Sequence, residues 1–543
     1  MSVRKLFHVV FFLVLSISLV IGCREEKTAE IFVKGASISG ANGVMFDSEN
    51  QLYIASVVGR SITVMNRETG EIIRRIGPDV GVEGPDDLIF GPDGSLYWTS
   101  FLTGEVGRLG LDGNVQTQFV KPGVNPITFS EDGRLFVALD FIGDALYELD
   151  PELEAPPRLL MESLGFLNGF DFGPDGLLYG PIWTQGKIVR IDVDRDPPTV
   201  ETVAEGFSIP SAVKFNSQGE LYVTDHMEST VIHVNVETGE KEVIATGLHK
   251  ADNLAFDSDD RLFVSSADDG FIGEVLNDGT VRTVNPGGMM FLGGITMQSA
   301  PEGNSLFVAD LFNLREIDPL SGEEISSQKS YLCKPGITSA MTVAGDGENL
   351  IVTSWFARMV QIWNHENREV IEEYPDFGIP INAIRFQSDL IVAELTTTSL
   401  IRANGENPQE RTTLASDLAM PAGLAADEEN LWVGDWITGK IYQVIKDGSV
   451  LSELQQVASG LSNPEGMILG ADKNLLVVEA GAGRVVSVNL KTGTVTTLIE
   501  DLELGLPAVP GMPPTWILSD ITQAPDGTLF ITGDQGHILY RAK

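Results

Sequence analysis

The chain has 543 residues, with 36 Lys+Arg against 77 Asp+Glu, a formal net charge of −41, 43% hydrophobic residues and two cysteines. That length exceeds one small core and calls for several domains or a repeat array, and the apolar fraction excludes wholesale disorder. The acidity disfavours nucleic acid, which is held by Lys and Arg on phosphate, and two cysteines exclude both a disulfide scaffold and a Cys-based zinc site.

Residues 1–23, MSVRKLFHVVFFLVLSISLVIGC, read as an address rather than a fold element. Arg4 and Lys5 precede an apolar run from Leu6 to Ile21 that is shorter than the roughly 20 residues needed to span hydrocarbon. Val20-Ile21-Gly22-Cys23 resembles the lipobox of bacterial lipoproteins. The resemblance implies a signal peptide over 1–22, lipidation of Cys23 and a tether over 23–29. It also implies an exported protein anchored to a bacterial membrane and facing the periplasm. Cys333, the other cysteine, is expected to be a small core residue.

From residue 30 onward one phrase recurs, as in GPDGSLYWTS (91–100), GPDGLLYG (173–180), NSQGELYVTD (216–225) and APDGTLFITG (524–533). Short alternating runs rich in Val, Ile, Leu, Tyr and Phe are separated by Asp-Gly and Asn-containing turns, which is the signature of hairpins. No 3.6-residue periodicity is sustained. The residue leading into each first strand falls at Asn42, Asp86, Asn125, Asn168, Ser211, Asp252, Gly293, Ser339, Asn382, Ala422, Glu465 and Ser519, mostly 39–46 residues apart. The pattern predicts an all-β chain of twelve four-stranded propeller blades, arranged as two consecutive six-bladed β-propellers.

The last unit has only three strands, and an orphan strand, Glu30–Gly35, precedes the first. If each ring closes separately, Glu30–Gly35 should complete the sixth blade and Thr280–Asn285 should pass on to complete the twelfth. The rings would then span 30–278 and 279–543. The interval from Glu465 to Ser519 is longest because of 499–516, a segment with Pro507, Pro510, Pro513 and Pro514. It is expected either to act as a lid or to pack against the first propeller.

First-strand starts gather at one mouth of a propeller tunnel. In the first ring Asn42, Asp86, Asn125, Asn168, Ser211 and Asp252 all carry side-chain oxygen, with Asn253 adjacent. Such a set suits a hard divalent cation, calcium above all. Asn and Asp capping the loops would give the same pattern. Asp252 is the candidate proton-handling carboxylate and His226, after a second strand, the candidate histidine, although a solvated loop histidine would read the same. His233, His249, His365 and His537 show no metal spacing.

The second ring is less metal-like, with Asn382 and Glu465 as its candidates for a cation. Asp310, Glu394, Asp435 and Glu479 end second strands, where acidic residues brace turns. Trp355 and Trp436 follow the same strand ends and could line an apolar cleft. Gly434–Ile441, GDWITGKI, lacks the Ser/Thr and the helix of a phosphate loop.

The repeat phrase resembles NHL-type propellers and, more closely, the regucalcin/gluconolactonase and paraoxonase group. That resemblance implies a divalent cation at one tunnel mouth and hydrolysis of lactones or esters. Asn125, Asn168 and Asp252-Asn253 match the group's Asn and Asp elements; Asn42 stands where its first-blade Glu is expected, Asp86 is the nearest substitute, and Ser211 breaks the series. Two other readings stay open: a non-catalytic lipoprotein binding a protein, peptide or glycan, and a lyase resembling the streptogramin-inactivating propellers.

Overall fold

The structure is a computed structural model, and it describes residues 27–300, 303–330, 336–508, 515 and 517–543. Cys23 with its signal segment, Cys333, Pro510, Pro513 and Pro514 lie outside the described residues, as do the expectations placed on them. Among the described residues no helix is long and apolar enough to cross a membrane.

Strand pairing yields twelve four-stranded antiparallel sheets. Blades 1–6 cover 44–76, 85–119, 124–162, 171–205, 210–246 and 254–285. Blades 7–11 cover 292–329, 342–374, 380–415, 421–459 and 464–499. The twelfth sheet joins three strands over 521–542 to Ala29–Lys34. The alternation within each blade packs one face against the next blade. A core cluster spans blades 1 and 6 through Val44, Phe46, Ile54, Phe263 and Ile272, which closes the first ring. Leu292, Ile295 and Leu306 of blade 7 pack with Phe530 and Leu539 of blade 12, which closes the second. The chain is two consecutive six-bladed propellers.

The strand exchange at the ring closures runs opposite to the sequence expectation. Ala29–Lys34 pairs with Ile538–Ala542 and so completes the twelfth blade, while Val281–Asn285 pairs with Ile272–Val275 and stays in the sixth. The boundary therefore falls after residue 285, not at 278. The physical reason is local: Asp278-Gly279 makes a tight turn in which Leu276 N donates to Thr280 O and Gly279 N to Leu276 O. Closing a hairpin of a few residues costs far less chain entropy than sending that strand to a distant blade. With blade 6 complete, only blade 12 lacks an outer strand.

Around each axis the first strands approach closely. Val213 N donates to Gly169 O at 2.7 Å and Gly466 N to Ser519 O at 2.9 Å. A Cβ on Gly169 would lie 2.4 Å from Ala212 Cβ, and one on Gly466 2.1 Å from Asp520 Oδ1, so these positions require glycine. Asp87 braces neighbouring blades by accepting Leu88 N at 2.9 Å and Ile127 N at 3.1 Å; Asp520 does the same with Ile521 N and Ile295 N at 2.8 and 3.2 Å.

The acidic strand ends are turn braces. Asp310 accepts Met290 N and Phe291 N at 3.0 and 2.6 Å, and Asp435 accepts Ala419 N and Met420 N at 2.9 and 3.2 Å. Glu394 takes Ile379 N at 2.7 Å and Glu479 takes Ser462 N at 2.8 Å.

Candidate functional site

The loops that lead into the first strands of blades 1–6 end at one mouth of the first propeller. There the structure gathers Asn42, Asp86, Asn125, Asn168, Ser211, Asp252 and Asn253 around one cavity of about 520 Å³, together with His226. Every first-propeller residue singled out in the sequence lines this space. The turns after the second strands supply its walls: Val58, Leu102, Phe101, Phe141, Ile142 and Trp183. The remaining wall comes from blades 7 and 8, through Phe291, Leu311, Phe312, Met341, Trp355 and Phe356. The site therefore lies where the two rings meet, with a polar floor and an aromatic, apolar surround of drug-sized volume.

The floor is electrostatically unbalanced. Asp86 is buried, and its carboxyl is pushed well above the ordinary range by desolvation and then by repulsion from Asp252, Asp87 and Asp140, with a hydrogen bond from Asn42 opposing. Asp252 is pushed up to about 7 by desolvation and by Asp268 and Asp87. The named charges acting on both are carboxyls. Asp140, just outside the lining, is raised to about 7, chiefly by burial; Trp183 Nε1 donates to its Oδ1 at 2.8 Å, and its Oδ2 is buried without a partner. That bond fixes the Trp183 ring, whose centroid lies 5.1 Å from that of Phe141 with the planes tilted by 31°.

Asn168 Oδ1 accepts its own Gly169 N at 2.8 Å and Asn125 Nδ2 at 3.4 Å. Asn253 Oδ1 accepts Leu254 N at 2.9 Å. The two asparagines thus cap their loops as well as facing the cavity; Asn253 Oδ1 keeps a second lone pair, whereas Asn168 Oδ1, which accepts two hydrogen bonds, frees one only by giving up the long bond from Asn125. Among the described residues no three His, Cys, Asp or Glu side chains gather in metal-holding geometry. Any cation here would lean on Asp86 and Asp252 plus amide oxygens.

His226 is lowered from its ordinary value by burial, and its Nδ1 has no partner. Its Nε2 stands 3.9 Å from Asp268 Oδ2. Asp268 in turn pairs with the buried Lys250 ammonium at 2.6 Å, and Lys250 Nζ also donates to Ser330 O of the second propeller at 3.0 Å. Asn313 Nδ2 of blade 7 donates to Asp268 O at 3.2 Å. The Asp268 wall is thereby tied to the second ring.

The second-ring candidates do not reach this cavity. Glu465 accepts Trp436 Nε1 at 3.1 Å, Thr515 Oγ1 at 2.7 Å and Ser519 N at 2.8 Å. Burial and the neighbouring Asp534 push its carboxyl upward. Asn382 accepts Ala383 N at 2.9 Å and donates to Ala422 O at 3.3 Å. Above them Ile381, Ala422 and Leu518 pack with Trp355 and Trp436 and fill the second mouth. In the long 499–516 segment, Leu506 and Ala508 join Ile517, Val58, Leu102 and Phe291 in the cluster between the rings, so its described part packs against the first propeller.

Sequence reasoning missed Phe101, Phe141, Trp183, Phe312 and Phe356. The signal was present: all follow second strands, the position that drew attention to His226 and Trp355. Asp268 and Lys250 carried no comparable signal, because their pairing depends on the second ring.

No family model and no curated protein matches the chain. Among solved structures the chain is similar to a streptogramin B lyase at 18% identity, over 52% of this chain and 95% of that one, with a TM-score of 0.38. It is similar to a gluconolactonase from Xanthomonas campestris at 14% identity, over 45% of this chain and 92% of that one, with a TM-score of 0.36. An extracellular domain assigned to a one-component system of B. thetaiotaomicron matches 95% of this chain and 82% of its own length at 10% identity, with a TM-score of 0.34. The fold assignment rests on the strand pairing itself.

Proposed function

We propose that the mouth of the first propeller is the active site of a divalent-metal-dependent hydrolase acting on a lactone or related ester. The observation that supports it is the convergence of Asn42, Asp86, Asn125, Asn168, Asp252 and Asn253 on the floor of one largely apolar cavity. Two carboxyls whose charged neighbours are other carboxyls form a donor set suited to a hard cation, calcium by type, because an added positive charge offsets their repulsion. Asp86 and Asp252 would hold it, with amide oxygens of Asn42, Asn125 and Asn168. When bound, such a cation polarises a substrate carbonyl and stabilises the oxyanion.

The chain's own residues do the rest. The apolar walls exclude bulk water and strengthen each polar contact on the floor. Burial keeps His226 unprotonated at neutral pH, so it is available to take a proton from water, while Asp252 stands on the same cavity as a second proton carrier. The reading includes an exported, periplasm-facing protein held to a bacterial membrane by lipid on Cys23.

The test is elemental analysis of the purified mature protein, followed by lactone and aryl-ester hydrolysis with and without chelator. Bound divalent metal with chelator-sensitive turnover is the expected result. Absence of metal together with no chelator effect ends the hydrolase reading and leaves a non-catalytic protein that binds a small molecule, peptide or glycan.

A further inference from the structure

The cavity floor belongs wholly to the first propeller, yet a large share of the wall does not. Phe291, Leu311, Phe312, Met341, Trp355 and Phe356 come from blades 7 and 8. Several side chains around the cavity are costly to leave in water: Phe356 is 50% exposed, Phe141 44% and Ile142 58%. Trp355 also packs against Ile381, Ala422 and Leu518 in the second mouth, whereas Phe356 takes no part in that packing. Exposed aromatic side chains grouped at the rim of a cavity mark a place where apolar ligand surface is buried.

The aromatic groups are also ordered. On the first ring Phe101 meets Phe141 edge-on at 6.2 Å, and Phe141 lies against Trp183, whose indole is held by Asp140. On the second, Trp355 and Phe356 meet edge-on at 6.0 Å. The Lys250–Asp268 pair and its bond to Ser330 O fix one ring against the other beside the cavity, so the two aromatic sets keep a set separation.

We infer that the second propeller is the specificity half of this site: its Trp355 and Phe356, backed by the buried Phe291, bind the apolar part of a two-part ligand, an aryl or long-alkyl carbonyl compound, whose polar head rests on the Asn/Asp floor. The inference rests on the cavity being the site of action, but not on hydrolysis or on a metal. A sugar-like substrate with hydroxyls all round would leave these walls unmatched.

The experiment uses the full chain and a series of phenyl alkyl ketones, from acetophenone upward, which carry the carbonyl and the arene but cannot be hydrolysed. Calorimetric affinity should rise about fourfold per added methylene until the cavity is full. Phe356→Ala, at a half-exposed position that the fold tolerates, should weaken the longest ketone by about 10-fold or more. Ile437→Ala, at the corresponding turn of blade 10 and 58% exposed, is the control and should change nothing. A flat series, or a Phe356→Ala protein that binds like the parent, overturns the inference. Length-dependent binding without any lactone or ester turnover supports the specificity half while removing the hydrolase reading. Turnover with a flat series does the reverse.

Discussion

At the mouth of the first propeller, six blades present Asn, Asp and Ser side chains to a cavity. At the corresponding mouth of the second, Ile381, Ala422 and Leu518 close over a Glu465 whose carboxyl is fully occupied by Trp436, Thr515 and Ser519. Both rings use the same blade, the same glycine approaches around the axis and the same acidic turn braces. The difference lies in about six positions per ring. It teaches that the blade framework is indifferent to what stands at the start of its first strand, so those positions are free to carry either chemistry or packing.

The sharpest way to break this contrast is to neutralise each mouth in turn. The double substitution Asp86→Asn with Asp252→Asn should lower divalent-ion affinity by at least about 100-fold in calorimetry, because both formal charges of the donor set are lost. Glu465→Gln and Asn382→Ala should leave that affinity unchanged. Equal losses in both rings would erase the distinction.

Lys250→Met acts on stability rather than on ion binding. It leaves Asp268 buried beside an apolar side chain and removes the bond to Ser330 O, so unfolding free energy by denaturant should fall by about 3–5 kcal/mol. An unchanged midpoint would mean that the rings do not depend on this latch.

Glu465→Ala should cost about 1–3 kcal/mol, since Trp436 Nε1 and Ser519 N lose their acceptor inside the packed mouth. The pH dependence has a defined sign. The folded carboxyl is raised above its ordinary 4.5, so the folded state keeps a proton that the unfolded chain releases. The stability it contributes is present in full below about pH 4.5 and is lost as pH rises towards the folded value. The parent should therefore weaken between pH 5 and 8 more steeply than Glu465→Gln, as read from thermal midpoints. Identical slopes would assign the effect to other buried carboxyls such as Asp520, which burial raises to about 7.

The smallest effect is expected from Thr515→Val, about 1 kcal/mol, through loss of one hydrogen bond to Glu465. Binding at the first mouth should not respond to it.

The repeat phrase made blade number, ring number and the first-ring floor legible, because each first-strand start is marked by its own turn chemistry. Asn42 to Asp252 can be placed together from the repeat phrase alone, since the fold sends all six to one mouth. The closure differs from the expectation because Glu30–Gly35 and Thr280–Asn285 are both short strand-like runs, and only the Asp278-Gly279 turn separates a local partner from a remote one. The composite wall was not legible. Whether Phe291 and Phe356 share a cavity with Asp86 depends on how two rings dock, and that is decided by contacts such as Lys250 with Ser330, which no repeat phrase encodes.

The pairing of Ala29–Lys34 with Ile538–Ala542 makes the first propeller an insertion nested inside the second. During synthesis the first ring has all its strands once residue 285 has emerged, whereas the second cannot close until Ile538–Ala542 has left the ribosome. Until then Ala29–Lys34 is an unpaired edge waiting across a separation of 511 residues, measured at the Glu30–Arg541 contact, and it is open to wrong partners. Ala29 sits opposite Ala542, so the chain leaves the ladder at both residues from the same end. A force applied between them unzips that ladder pair by pair instead of shearing it, and it opens the outer ring while the nested ring and its floor stay shut.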